Sequence, residues 1–152
     1  MKIVTFFGGA TCLIGLTIIL FIIIKNKKIG FLIGINLITI TILNQLFKFI
    51  LQRPRPTEYR IINETGYSFP SGHSMISMAF YGFLIYLIYK YVKNKKLKYI
   101  SITLISILII FIGISRIYLG VHYTSDVLGG FLLSISYLVI YISSIKKLLP
   151  EE

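Results

Sequence analysis

An all-α, polytopic bundle of transmembrane helices with about five spans is the fold class this sequence predicts. Three observations carry the prediction. Of the 152 residues, 56% are hydrophobic and only 14% are charged, and the mean hydropathy is +0.85; a soluble domain of this size exposes far more charge. The apolar residues gather in five runs, each near the ~20 residues that a helix needs to cross a bilayer. The basic residues sit between those runs, and their kind changes from one side to the other.

The runs are Ile3–Ile24, Ile29–Leu51, Met75–Val92, Leu97–Ile114 and Tyr123–Ile145, of which the third and fourth are short. Only Lys2 precedes the first, and no small-residue cleavage pattern follows it. It therefore reads as a retained helix rather than a signal peptide. The five runs leave no room for a soluble module, so one integral membrane domain is expected over residues 1–152. Cys12, the only cysteine, lies within the first run as a small packing residue, and it can form no intramolecular disulfide. Gly8-Gly9 is read as a place for close packing or a bend.

A net charge of +11 raises the question of nucleic acid, and the placement of the charge answers it. Lys25, Lys27 and Lys28 lie between the first two runs. Lys90, Lys93, Lys95, Lys96 and Lys98 lie between the third and fourth, and Lys146 and Lys147 follow the fifth. Alternating loops bring all of them to one side of the membrane, cytoplasmic by the positive-inside rule. Short loops flush with a bilayer offer no contiguous basic face with base-stacking groups, so no nucleic-acid partner is expected. The opposite side carries Lys48, Arg53, Arg55, Arg60 and Arg116, four of them arginines. A guanidinium fork binds oxyanions in a bidentate way that an ammonium does not. The lysine loops contain no arginine.

Three polar clusters occupy that second side. The segment "QRPRPTEYR" opens the only long loop, where two prolines impose extended backbone and end the helix carrying Lys48. The stretch "GYSFPSGHSM" closes the loop, with Ser71 as the expected N-cap of the next helix. The amides of Ser71, Gly72 and His73 then belong to a first turn without intrahelical acceptors, a ready anion site. Gly72, lacking a Cβ, allows a ligand to approach the backbone. In "SRIYLGVHYTSD" Arg116 ends the fourth helix and His122 opens the fifth, with Asp126 four residues on and on the same helical face. A carboxylate there fixes one imidazole nitrogen and frees the other to attack. Such a carboxylate within a span costs about 2.5–3.5 kcal/mol and marks function.

Helix directions bring Lys48, Arg55, His73, Arg116 and His122 to one mouth. Three fixed cations, free amides and two histidines describe a phosphate site with a nucleophile and an acid. No acidic pair or Cys/His cluster supplies metal ligands, so the cations take over charge stabilisation on the transferred phosphoryl group.

With these residues in place, the chain resembles the type 2 phosphatidic acid phosphatase superfamily, whose members share an active site with vanadium haloperoxidases and bacterial acid phosphatases. Lys48, six residues and Arg55-Pro56 make the first motif. Pro70-Ser71-Gly72-His73 makes the second. Ser115-Arg116, five residues, His122, three residues and Asp126 make the third. Arg53-Pro54 has the wrong spacing and is read as incidental. The resemblance covers about residues 44–130 and implies a haloperoxidase/phosphatase-like helical core. It also implies metal-independent, cofactor-free hydrolysis of a membrane lipid phosphate through a phosphohistidine. By position, His122 is the nucleophile, Asp126 its orienting partner and His73 the acid for the leaving oxygen. Lys48, Arg55, Ser71, Gly72 and Arg116 hold the phosphate. Membrane members typically have six spans with an extracytoplasmic site, so the five counted here lack the usual first helix.

The expected substrates are undecaprenyl pyrophosphate first, because Arg53 and Arg60 would meet a second phosphate, then phosphatidylglycerol phosphate and phosphatidic acid. The alternatives are a lipid phosphotransferase using the same site and a non-catalytic lipid-binding protein. The abundance of Ile and Lys suggests an AT-rich bacterial genome, and the expected location is the cell membrane with the site on its extracytoplasmic face.

Overall fold

The computed structural model describes residues 1–150, so Glu151 and Glu152, the end of the expected 1–152 domain, lie outside the described residues. Those residues form six helices and no strand. Helix α1 spans Lys2–Phe7, α2 Ala10–Ile23, α3 Lys27–Leu51, α4 Gly72–Tyr91, α5 Lys95–Tyr118 and α6 Thr124–Ile145. The last four, of 20 to 25 residues, are long and apolar enough to cross a membrane. Helix α2 is apolar but has 14 residues, or roughly 21 Å of helix against a hydrocarbon layer of about 30 Å.

The expected continuous span Ile3–Ile24 is thus broken. Gly8 ends α1, and Gly9, with extended backbone (φ −80°, ψ 153°), caps α2. Packing explains the break. A Cβ on Gly8 would stand 2.6 Å from Ile112 Cγ2 and 3.3 Å from His73 Cδ2, so the backbone presses where no side chain fits. Thr5 Oγ1 lies 2.5 Å from Ser115 Oγ, and the Tyr81 hydroxyl donates to the Phe7 carbonyl at 2.8 Å. These bonds hold α1 against the middle of α4 and against the end of α5 where the third polar cluster lies.

Helix α4 is the hub, packed against α3, α5 and α6. Lipid is as apolar as leucine, so close packing and interhelical hydrogen bonds rather than the hydrophobic effect must hold spans together, at roughly 0.6–2 kcal/mol per bond. The Tyr141 hydroxyl donates to the Leu32 carbonyl at 2.6 Å, and the Ser134 hydroxyl donates to the Met75 carbonyl at 2.6 Å. These tie α6 to α3 and α4. On α3 the buried face carries Ile29, Leu32, Ile33, Asn36, Ile40 and Asn44. Phe31, Ile35, Ile38, Ile42 and Phe49 are exposed. Amides inside and hydrocarbon outside invert the pattern of a soluble amphipathic helix, as a multi-pass membrane protein requires.

Side-chain caps set the ends. Asn26, Ser71 and Asn94 accept from the first-turn amides of α3, α4 and α5. Helices α4 and α5 each run about a turn further than the hydropathy predicts, so Gly72, His73, Ser115 and Arg116 are helical. Polar residues are tolerated there because their hydrogen bonds stay local; the Ser115 hydroxyl donates to the Ile112 carbonyl at 2.6 Å. The lysine loops fall at one end of the bundle. Loop 52–71, turn 119–123 and the α1–α2 break fall at the other.

Candidate active site

His122 does not open the last helix, as the spacing had suggested. It sits in the turn before it, with Tyr123 as N-cap. Asp126 is in the helix's first turn, where its Oδ2 accepts from the Tyr123 amide at 2.9 Å in a capping box. The same carboxylate lies 3.5 Å from His122 Nδ1, accepts from the Ser68 hydroxyl and pairs with Arg53 Nη1 at 2.7 Å. It is 0% exposed. A buried carboxylate is tolerable only when its lone pairs are filled, and here four groups surround it.

The His122 ring is oriented by what faces each nitrogen. Arg55 Nη1 stands 3.2 Å from Nε2, and a guanidinium can only donate, so Nε2 must carry the lone pair. Nδ1 then carries the hydrogen, toward Asp126 and the Ser68 oxygen at 3.4 Å. Burial pushes the imidazole below the ordinary histidine value. The Asp126 hydrogen bond opposes this, and the charges of Arg55, Arg116 and Lys48 add to the lowering. The result is a neutral imidazole at pH 7 with a fixed tautomer.

Three cations surround it. Arg55 donates to the carbonyls of Gly66 at 3.0 Å, Thr65 at 3.0 Å and Val121 at 3.1 Å, so one side chain sets the loop and the turn together. Lys48 Nζ donates to the Tyr67 carbonyl at 2.5 Å. Arg116 is 1% exposed; its Nη2 meets Glu64 Oε1 at 2.7 Å, while Nε and Nη1 have no partner. Unmet buried donors cost about 1–3 kcal/mol each, more when charged, and an arriving oxyanion relieves that cost.

At the start of α4 the expected set of free amides is smaller by one. The Ser71 amide donates to the Asp126 carbonyl at 3.1 Å. The Ser71 hydroxyl accepts from Ser74 Oγ at 3.0 Å and from the Ser74 amide at 3.4 Å. Ser71 therefore joins α4 to α6 behind the cavity, and the first-turn amides left for a ligand are those of Gly72 and His73. Asn44 steadies the turn, donating to the Pro70 carbonyl at 3.4 Å.

A cavity of about 270 Å³ is lined by Lys48, Arg55, Gly72, His73, Arg116 and His122, together with Glu64, Gly8 and the apolar Leu13, Ile14 and Leu37. Six of the eight predicted site residues thus share one space; Ser71 and Asp126 stand behind it. Both histidines are at the same end of the bundle. Arg53 was misread. It is neither incidental nor placed for a second phosphate: it pairs with Asp126, donates to Ser125 Oγ at 2.7 Å and lies 4.3 Å from the Tyr123 ring centroid. Arg60 likewise donates to the Pro56 carbonyl of its own loop. The one signal was position: Arg53 lies two residues from Arg55, and the two reach Asp126 and His122 respectively. Ser68 and Glu64 carried no such signal.

The fold and this cavity define a class: polytopic membrane proteins with two histidines and three cations gathered at one end of the helix bundle. The family model of the PAP2 superfamily matches residues 10–149, and the chain belongs to that superfamily. Its relatives include phosphatidylglycerophosphatase B of Bacillus subtilis (strain 168), 42% identical over 98 residues that cover 62% of this chain and 47% of the relative. The chain thus spans about half the length of that relative. Undecaprenyl-diphosphatase of Sulfolobus acidocaldarius is 30% identical over 155 residues, covering 93% of this chain and 70% of the relative. Among solved structures, the crystal structure of a transmembrane PAP2 type phosphatidylglycerolphosphate phosphatase from Bacillus subtilis matches with a TM-score of 0.88 at 30% identity. That match covers 99% of this chain and 77% of the other. The family and fold class that the three motifs imply are borne out.

Proposed function

We propose that this chain hydrolyses a membrane lipid phosphate through a phosphohistidine formed on His122. The observation that carries the reading is the His122 Nε2 lone pair held at a cavity that also contains two unmet Arg116 donors. The phosphoryl oxygens bind Arg116, Arg55, Lys48 and the Gly72 and His73 amides. Nε2 attacks phosphorus in line while the bond to the lipid oxygen breaks, and His73 delivers a proton to that oxygen. Water then attacks the phosphohistidine, with His73 taking its proton, and inorganic phosphate leaves. Asp126 compensates the imidazolium character that develops on His122, and Arg53 and Ser68 hold Asp126. By the positive-inside rule the lysine loops at the far end face the cytoplasm, which supports an extracytoplasmic cavity.

The chemistry favours a lipid phosphomonoester, of the phosphatidylglycerol phosphate or phosphatidic acid kind, over undecaprenyl pyrophosphate. With Arg53 and Arg60 turned to other partners, the cavity offers Lys48, Arg55 and Arg116 against one carboxylate, Glu64. That balance suits one dianionic phosphate better than the extra charge of a diphosphate. Leu13, Ile14 and Leu37 line the cavity's apolar side, and a separate apolar groove of Thr17, Ile18, Phe31, Ile35 and Ile38 lies between the same two helices, α2 and α3, a surface suited to a lipid tail. The test is phosphate release by the purified protein in detergent from a panel of the three lipids, with and without EDTA. The monoesters are expected to turn over faster than the diphosphate, and EDTA to leave the rate unchanged. No release from any lipid, or transfer only to an acceptor alcohol, would end the hydrolase reading.

A further inference from the structure

Glu64 is a carboxylate in a cavity whose other charged groups await an anion. It lines that space together with Lys48, Arg55 and Arg116, and its Oε1 takes one guanidinium donor of Arg116 at 2.7 Å. Its backbone is held, because the carbonyls of the next two residues, Thr65 and Gly66, are both gripped by Arg55. The carboxylate is thus placed by the same side chain that is expected to bind phosphate. Glu64 is 32% exposed and Arg116 1%, so water can receive the carboxylate if it is displaced while the guanidinium stays in position.

We propose that Glu64 is a specificity-determining residue: its carboxylate stands on Arg116 Nη2, the donor that both forks of the guanidinium share, so that a phosphate binds this arginine in a bidentate way only by displacing it. The proposal rests on the reading that Arg116 binds phosphate. Carboxylates and phosphates are alternative ligands of one guanidinium fork, and a dianion that spans two donors outcompetes a single-point contact. Lipid phosphomonoesters are dianionic at neutral pH. The phosphodiester head groups that make up most of a bilayer are monoanionic, and a site at membrane level meets them constantly. Glu64 makes that site selective by repulsion, since a monoanion gains too little from Arg116 to evict a fixed carboxylate. Burial raises the Glu64 carboxyl, but the Arg116 hydrogen bond and charge, with Arg55, outweigh it and hold the group below the usual carboxylate range. It is therefore ionised at neutral pH.

The experiment titrates inorganic phosphate into purified wild-type protein and E64Q in detergent, alone and with phosphatidylglycerol in the micelles. E64Q is expected to bind phosphate about tenfold more tightly, the scale of one charged hydrogen bond. Phosphatidylglycerol is expected to compete with phosphate in E64Q and not in the wild type. Phosphate bound no more tightly by E64Q, or phosphatidylglycerol competing equally in both, overturns the proposal. Should E64Q fail to fold, Glu64→Asp, which draws the charge back from Arg116, carries the same test with the same sign. Because binding rather than turnover is read, this result is separate from failure of the hydrolase reading.

Discussion

The two ends of the bundle are both basic, yet they use charge in opposite ways. At the lysine end Lys27 Nζ donates to the carbonyls of Phe21 at 2.7 Å and Ile22 at 3.1 Å, closing the last turn of α2, and Lys98 lies 5.2 Å from the Tyr89 ring centroid. These are local contacts with water nearby. At the arginine end Arg53, Arg55 and Arg116 each reach across tens of residues of sequence to a carboxylate, a carbonyl or the His122 imidazole. A flexible ammonium in water orients a loop relative to the membrane. A planar guanidinium out of water specifies a geometry.

The largest effect expected is at His122. His122→Ala should abolish phosphate release in protein that remains folded, measured on purified variant; full activity would remove the nucleophile assignment. Arg116→Lys keeps the charge and loses the fork, and a fall in kcat/KM of about 10²–10³-fold is expected, as for other preorganised donors to a developing oxyanion. A wild-type rate would mean that charge alone suffices at this end, erasing the contrast with the lysine end.

Arg53→Ala should lower kcat about 10–100-fold, as loss of an outer orienting partner does, and change KM little, because Arg53 touches Asp126 rather than substrate. Arg53→Lys should restore part of the rate, and a change confined to KM would return Arg53 to substrate binding. The pH profile sharpens the same point. His122 must be neutral to attack and its value is lowered, first by burial and then by the nearby cations. The acid limb of log kcat/KM assigned to it should therefore fall below about pH 6.5. A limb above that value would show that the Asp126 bond outweighs burial. The smallest effect is expected from Lys93, Lys95 and Lys96 changed together to Gln, which should leave turnover in detergent unchanged.

Much of this was legible in the chain itself. Hydropathy located five apolar runs, and the division of lysine from arginine told one end from the other. Three spaced motifs named eight candidate residues, six of which line one cavity. Composition and spacing suffice there because lipid imposes one solution, helices with paired backbone, and because helix direction alone places each motif. What the sequence could not decide were contacts between segments far apart in number. The break at Gly8-Gly9 depends on Ile112 and His73 pressing where a Cβ would go. The rotation of Arg53 onto Asp126, Ser68 joining them, and Glu64 on Arg116 depend on where an irregular loop lands. Loop residues have no periodicity to read, and their partners are set by which buried charge is left unpaired once the helices have packed.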